Sequence, residues 1–232
     1  LPKQVFAVIH VQNQSQAYSN LRIAEDTGCD GAFLISHGEV APDELWDIYF
    51  HLRRISRLTL GINQLGYPTS LCFSDAYARG RREGLRVPMI WADNYKLTHE
   101  GQSLPDVVRD YKQRVLRDPP LYFGGVAFKH QPEEHLTGPE LAREAIQACG
   151  HVDVLTTSGI RTGTAPDIEK IRTMREAVGT RAKLAIASGI TPENVGEFLP
   201  YADAFLVSTG ISRDFYNLDP LKTHRLTRQT KQ

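Results

Sequence analysis

Two short segments in the C-terminal third carry the clearest chemistry. Ala-Ser-Gly-Ile at 187–190 and Val-Ser-Thr-Gly at 207–210 each place hydroxyls and a glycine at the end of an apolar run. Glycine lets backbone N–H groups approach an anion, and a short helix beginning there adds its dipole. Ser188, Gly189, Ser208, Thr209 and Gly210 therefore form a candidate phosphate cup; the plain alternative is that these glycines only end strands and make turns. Ser158 and Gly159, with Gly163 and Thr164, adjoin the cup on the preceding loop. Lys129 closes the run LYFGGVAFK. Strand alternation puts Gly125, Ala127 and Lys129 on one face, Val126 and Phe128 on the other, and turns His130 toward a helix layer. A lysine there serves as a Schiff-base nucleophile, a general acid or a fixed cation, or is an ordinary surface residue.

His10 ends the run VFAVIH and Asp93 ends PMIWAD, so both are acid/base candidates. A hydrogen-bonded core histidine and a turn-forming aspartate are the plain alternatives. Ser36, His37 and Asn63 end the second and third apolar runs and are candidate substrate contacts, as are Ser158 and Gly159. Metal chemistry lacks its patterns. His10 is followed at the second position by Gln12, so an H-x-H pair is broken, and no H-E-x-x-H occurs. No G-x-G-x-x-G follows the first apolar run and GTAPD is not a Walker loop. The reading calls for no metal and no cofactor.

Such residues need elements to hold them. Short apolar runs alternate with amphipathic stretches eight times. Helices are expected over 15–27, 42–56, 70–83, 104–116, 138–148, 166–178, 192–199 and 220–228. The strands lie between, starting at Val5 and ending at Val207. Most strands are continuously apolar, as burial on both faces requires. Eight strand–helix units without a Pro/Gly/Ser-rich linker predict an α/β fold, one (β/α)8 barrel domain over 1–232. In that fold the site lies at the C-terminal strand ends, where every candidate above falls.

The chain has 232 residues, 41% hydrophobic and 23% charged, with Lys+Arg and Asp+Glu both at 27. Zero formal charge argues against a nucleic-acid partner and against a polybasic membrane anchor. No apolar run reaches the roughly 18 residues of a spanning helix. Cys29, Cys72 and Cys149 are few and far apart, which reads as reduced thiols in the cytoplasm. The opening LPKQVFAVIH has neither the long apolar core nor the cleavage site of a signal peptide.

The segments VDVLTTSGIRTGTAPDIEKIRTMREAVG, ASGITPENV and ADAFLVSTGISRD…LDPLKTHRL, with AVIH, GIN and FKHQP in matching order, resemble the BtpA family. The resemblance implies a (β/α)8 barrel and, in photosynthetic microbes, a role in photosystem I biogenesis; other members are taken for metabolic enzymes. The chain departs from the family in having Ser36 where members tend to carry an acidic residue. Gly125 and Ala127 stand where members tend to carry Asp and His, so much of the polar interior is expected to be missing. The leading expectation is a metal-independent enzyme acting on a small phosphorylated metabolite, a phosphosugar or nucleotide fragment. Isomerase, lyase or glycosyl-transfer chemistry would suit it. The alternative is a non-catalytic, BtpA-like assembly or regulatory factor that keeps a phosphate pocket. A homo-oligomer is compatible with either.

Overall fold

The computed structural model describes residues 3–96, 106, 109 and 119–232. Eight strands close into an all-parallel barrel in sequence order. They are β1 (Gln4–His10), β2 (Gly31–Ile35), β3 (Thr59–Asn63), β4 (Met89–Ala92), β5 (Leu121–Gly125), β6 (Val154–Thr157), β7 (Lys183–Ile186) and β8 (Ala204–Val207). Closure comes from β1 against β8, with Gln4 opposite Ala204 and Ala7 opposite Val207. Outside run α1 (Gln14–Asp26), α2 (Pro42–Ile55), α3 (Thr69–Glu83), α4 (Gly138–Ala148), α5 (Ile168–Val178), the short α6 (Val195–Phe198) and α7 (Pro220–Thr230). The helix expected over 104–116 lies outside the described residues. Among the described residues no helix is long and apolar enough to cross a membrane.

The helices start where their sequences allow. Asn13 caps α1 by accepting from the Gln16 N–H, and Asp219 caps α7 by accepting from Leu221 and Lys222. Helix α2 opens with Pro42, Asp43 and Glu44 and closes with Arg53 and Arg54, matching its dipole at both ends. Their apolar faces pack on the outside of the barrel through Trp46, Tyr49 and Leu52 of α2, and Ile171 and Met174 of α5.

The barrel interior is a separate apolar cluster built on the inward-facing alternate residues. Phe6, Phe33 and Phe123 pack with centroids 5.0–5.8 Å apart, and Trp91 and Phe128 continue the stack toward the mouth. At the opposite end, an aspartate just before a strand ties down the preceding neighbour. Asp30 accepts from the Val5 N–H, Asp153 from Tyr122 and Asp203 from Leu184, at 2.8–2.9 Å.

One stretch departs from the expected alternation. Strand β5 stops at Gly125, and Ala127 adopts a left-handed backbone with φ 47°. That turn reverses the faces beyond it. Phe128, expected on the outside, closes the interior, whereas Ala127 packs in the outer core. His130 is exposed with φ 61°, not set into the helix layer.

Candidate active site

The strand ends open into a depression of about 540 Å³, part of it open to solvent. Its floor is the top of the interior core, including Val8, Ile35, Trp91, Phe128 and Leu206. Around the rim stand His10, His37, Asp93 and Lys129 on one arc, and Thr162, Gly163, Ser188, Gly189 and Ser208–Gly210 on the other. The titratable candidates and the cup candidates thus share one mouth.

His10 is the last residue of β1 and is 6% exposed. Its Nδ1 lies 3.0 Å from the Phe215 carbonyl, which assigns the ring proton to Nδ1 and leaves a lone pair on Nε2. Phe215 packs on the ring at 4.2 Å, tilted by 45°, and His37 meets its edge at 4.8 Å. Burial, then the neighbouring His37, lowers the His10 pKa to about 4, so the imidazole is neutral near pH 7. Burial also lowers His37, with Glu39 opposing it.

Asp93 follows β4 and accepts from the Asn63 side-chain amide at 2.9 Å. Burial pushes its carboxyl above the ordinary aspartate range, with the Asn63 hydrogen bond and the Lys129 charge pulling the other way. Gly125 lies beneath this loop. A Cβ there would fall 1.8 Å from the Asp93 carbonyl oxygen. The missing side chain is therefore filled by main chain, and the expected emptied interior does not exist at that position.

Lys129 is held from behind. Its N–H donates to Ser158 Oγ at 2.9 Å, and its ammonium reaches Thr162 Oγ1 at 3.3 Å and lies 5.6 Å from the Phe128 ring centre. Burial lowers its pKa, partly offset by Asp93 acting through space.

On the opposite arc, backbone packs on backbone. Gly189 has φ 64°, and a Cβ on it would lie 2.0 Å from the Ala165 nitrogen. A Cβ on Gly210 would lie 1.9 Å from the Ile190 carbonyl oxygen. Both glycines are required by loop-to-loop contact, whatever ligand the loops face. Ser188 Oγ donates to the Arg161 carbonyl at 3.0 Å, so it fastens the loop after β6. Ser208 and Thr209 begin a tight turn whose later N–H groups, from Ile211 and Ser212, fold back onto their carbonyls.

Four expected substrate contacts stand behind the wall. Ser36 Oγ donates to the Val40 carbonyl and accepts from Gly38 and Val40, shaping the turn that carries His37. Asn63 is buried under Asp93. Ser158 and Gly159 line a second cavity between the loops after β5 and β6. Two features went unread in the sequence. Lys170, in the first turn of α5, donates to the Ala127 and Ser158 carbonyls at 2.6 and 2.9 Å, and burial lowers its pKa to about 8. The loop after β8 brings Phe215 over both histidines, and Tyr216 OH donates to Glu39 at 2.7 Å. The pair Phe215-Tyr216 in an otherwise polar stretch was the available signal for it. Among the described residues no three His, Cys, Asp or Glu side chains cluster as a metal site needs.

The fold has many relatives. Phosphoribosyl anthranilate isomerase from Thermococcus kodakaraensis is 17% identical with a TM-score of 0.66, covering 97% of each chain. The Pyrococcus furiosus enzyme of the same name is 15% identical at 0.65, over 99% of this chain and 98% of that one. Thiamine phosphate pyrophosphorylase from Pyrococcus furiosus is 14% identical at 0.64, over 98% and 95%. At these identities the likeness is one of fold. In sequence, an uncharacterised protein of Pyrococcus abyssi is 23% identical over 227 residues, covering 93% of this chain and 85% of its own length. A family model described as the BtpA family matches residues 45–232, most of the barrel and every cup candidate. The chain belongs to the BtpA family.

Proposed function

We propose that this barrel is an enzyme acting on a small phosphorylated metabolite, a phosphosugar or nucleotide fragment, by isomerase, lyase or glycosyl-transfer chemistry that needs no metal. The observation that carries the reading is the division of one mouth into two arcs. Ser188, Gly189, Ser208, Thr209 and Gly210 would hold the phosphate, and His10, Asp93 and Lys129 would move protons at the other end of the ligand. His37 joins that arc, while Asn63, Ser36, Ser158 and Gly159 act through the residues they hold. A neutral His10 with a free Nε2 lone pair and a carboxyl that keeps its proton longer than usual make a base and an acid in one pocket. The names of the fold relatives specify phosphorylated compounds, which supports the substrate class. A purely binding role, as in an assembly factor, would not need proton-transfer groups gathered at the mouth.

Calorimetry and thermal melts with inorganic phosphate and a phosphosugar panel test the reading. Binding is expected to weaken with salt, because the cup works through charge-assisted hydrogen bonds. Ser208→Ala and Thr209→Val are the informative variants, since a side chain on Gly210 would disturb the loops themselves. Each is expected to weaken phosphate binding by about 1.5–3 kcal/mol. Absence of any phosphate-dependent heat or stabilisation in the unsubstituted protein would reject the cup.

A further inference from the structure

We propose that Lys129 is an imine-forming lysine, and that the mouth takes a phosphorylated aldehyde or ketone. The inference deepens the reading above and rests on it for the phosphate. It begins with the backbone. Among the described residues, only Ala127 and His130 are non-glycine residues with positive φ, at 47° and 61°. They bracket Phe128 and Lys129. Such conformations are disfavoured for residues with a Cβ and persist where surrounding contacts over-determine them. Here the contacts are explicit. Lys170 holds the Ala127 carbonyl, Ser158 Oγ holds the Lys129 N–H, and Glu134 accepts from the His130 N–H at 2.6 Å. The strained segment drives Phe128 into the interior as a plug and sets Lys129 on the rim.

The amine so placed is unusually unengaged. Lys96 pairs with Glu144, Lys231 with Asp30, and Lys170 and Lys222 donate to backbone carbonyls. Lys129 has one hydroxyl at 3.3 Å and, among the described residues, no ion-paired carboxylate. A lysine kept for structure would be tied as those four are. Burial favours its neutral form, which is the nucleophile. Thr162, which its amine touches, stands beside Gly163 on the cup arc, so a carbonyl a few bonds from a held phosphate would meet the amine.

The neighbours complete the step. The neutral amine adds to the carbonyl carbon, forming the C–N bond as the carbonyl electron pair moves to oxygen. That oxygen takes a proton from Asp93, and the nitrogen loses one to the Asp93 carboxylate or to His10 Nε2, giving the carbinolamine. A second proton on the oxygen lets it leave as water while the nitrogen lone pair forms the iminium. Neutral amine, carbonyl and one proton become iminium and water. The cation then accepts electron density from an adjacent C–H or C–C bond, the chemistry an isomerase or lyase needs.

The test is reductive trapping on the full chain. Glyceraldehyde 3-phosphate and glyceraldehyde are each incubated with the protein and cyanoborohydride, with and without excess inorganic phosphate, and adducts are mapped by peptide mass spectrometry. The expected result is one reduced adduct, on Lys129, formed at least about tenfold faster with the phosphorylated aldehyde and slowed by phosphate. Lys129→Arg, which keeps the cation, is expected to lose it while retaining its circular dichroism and melting temperature. No adduct, or adducts spread over exposed lysines and unchanged in Lys129→Arg, overturns the imine; phosphate-dependent stabilisation in the same samples would leave the cup standing. A Lys129 adduct formed equally fast from both aldehydes and indifferent to phosphate overturns the phosphorylated substrate and with it the cup.

Discussion

His10 shows how much a single buried ring can carry. In the unfolded chain it titrates near 6.5, whereas in the fold its pKa is about 4. Between those values the unfolded state binds more protons, so acidification favours unfolding. Stability is expected to fall as pH drops from about 6.5 to 4, by about 2–3 kcal/mol from this group, with His37 adding in the same direction. His10→Gln should flatten that decline, which urea titrations at pH 7 and 4.5 would measure. Lys170 makes a second prediction. Lys170→Met leaves the Ala127 and Ser158 carbonyls without their donor and is expected to cost about 1–3 kcal/mol. It should also shift the Lys129 amide resonance in a ¹⁵N spectrum, because Ala127 and Ser158, whose hydroxyl accepts the Lys129 N–H, both lose support. Reading the sequence placed His10 and Asp93 at strand ends because an apolar run announces its own terminus, whereas Lys129, expected to end β5, lies four residues beyond it. It did not reveal Lys170, since a lysine beside the apolar stripe of α5 looks like any solvated helix residue. It also could not show that Gly125 and Gly210 are filled by neighbouring main chain, a relation between loops distant in sequence.

At the scale of elements, the aspartates before β2, β6 and β8 do one job. Each accepts the N–H of the second residue of the strand preceding its own in the chain, at the end of the barrel away from the site. Asp30→Ala would leave the Val5 N–H buried without its acceptor and is expected to lower stability by about 1.5–3 kcal/mol. Asp30→Asn, which keeps an acceptor oxygen, should cost less, and denaturant midpoints would separate the two. The loop after β8 makes the opposite case. Tyr216→Phe removes only the exposed tie to Glu39 and should change global stability by less than about 1 kcal/mol. Hydrogen exchange of the 211–218 amides is expected to quicken. The strands were legible because parallel strands buried on both faces are apolar throughout. The end of β5 was not, because nothing in GGVAFK marks Ala127 as left-handed, and the Lys170 that bonds its carbonyl sits in an element more than forty residues away.

For the molecule as a whole, eightfold alternation without a linker was enough to predict a closed barrel, and the barrel is closed. The sequence could not show which loops cross the mouth. The contacts that finish the site join the two ends of the chain. Phe215 meets His10 across 205 positions, Tyr216 meets Glu39 across 177, and Gln16 and Asn20 both donate to the Tyr216 carbonyl. Such long-range closures come late, since the chain between them must be ordered first. During synthesis the strands up to β7 can be made while His10 still lacks Phe215 over it and the mouth its loop after β8. A growing chain therefore cannot assemble the whole mouth before β8 and the segment behind it have left the ribosome. If the proposed ligand bridges both arcs, it would stabilise only a chain that has passed β8, a check that the first seven strands alone cannot pass.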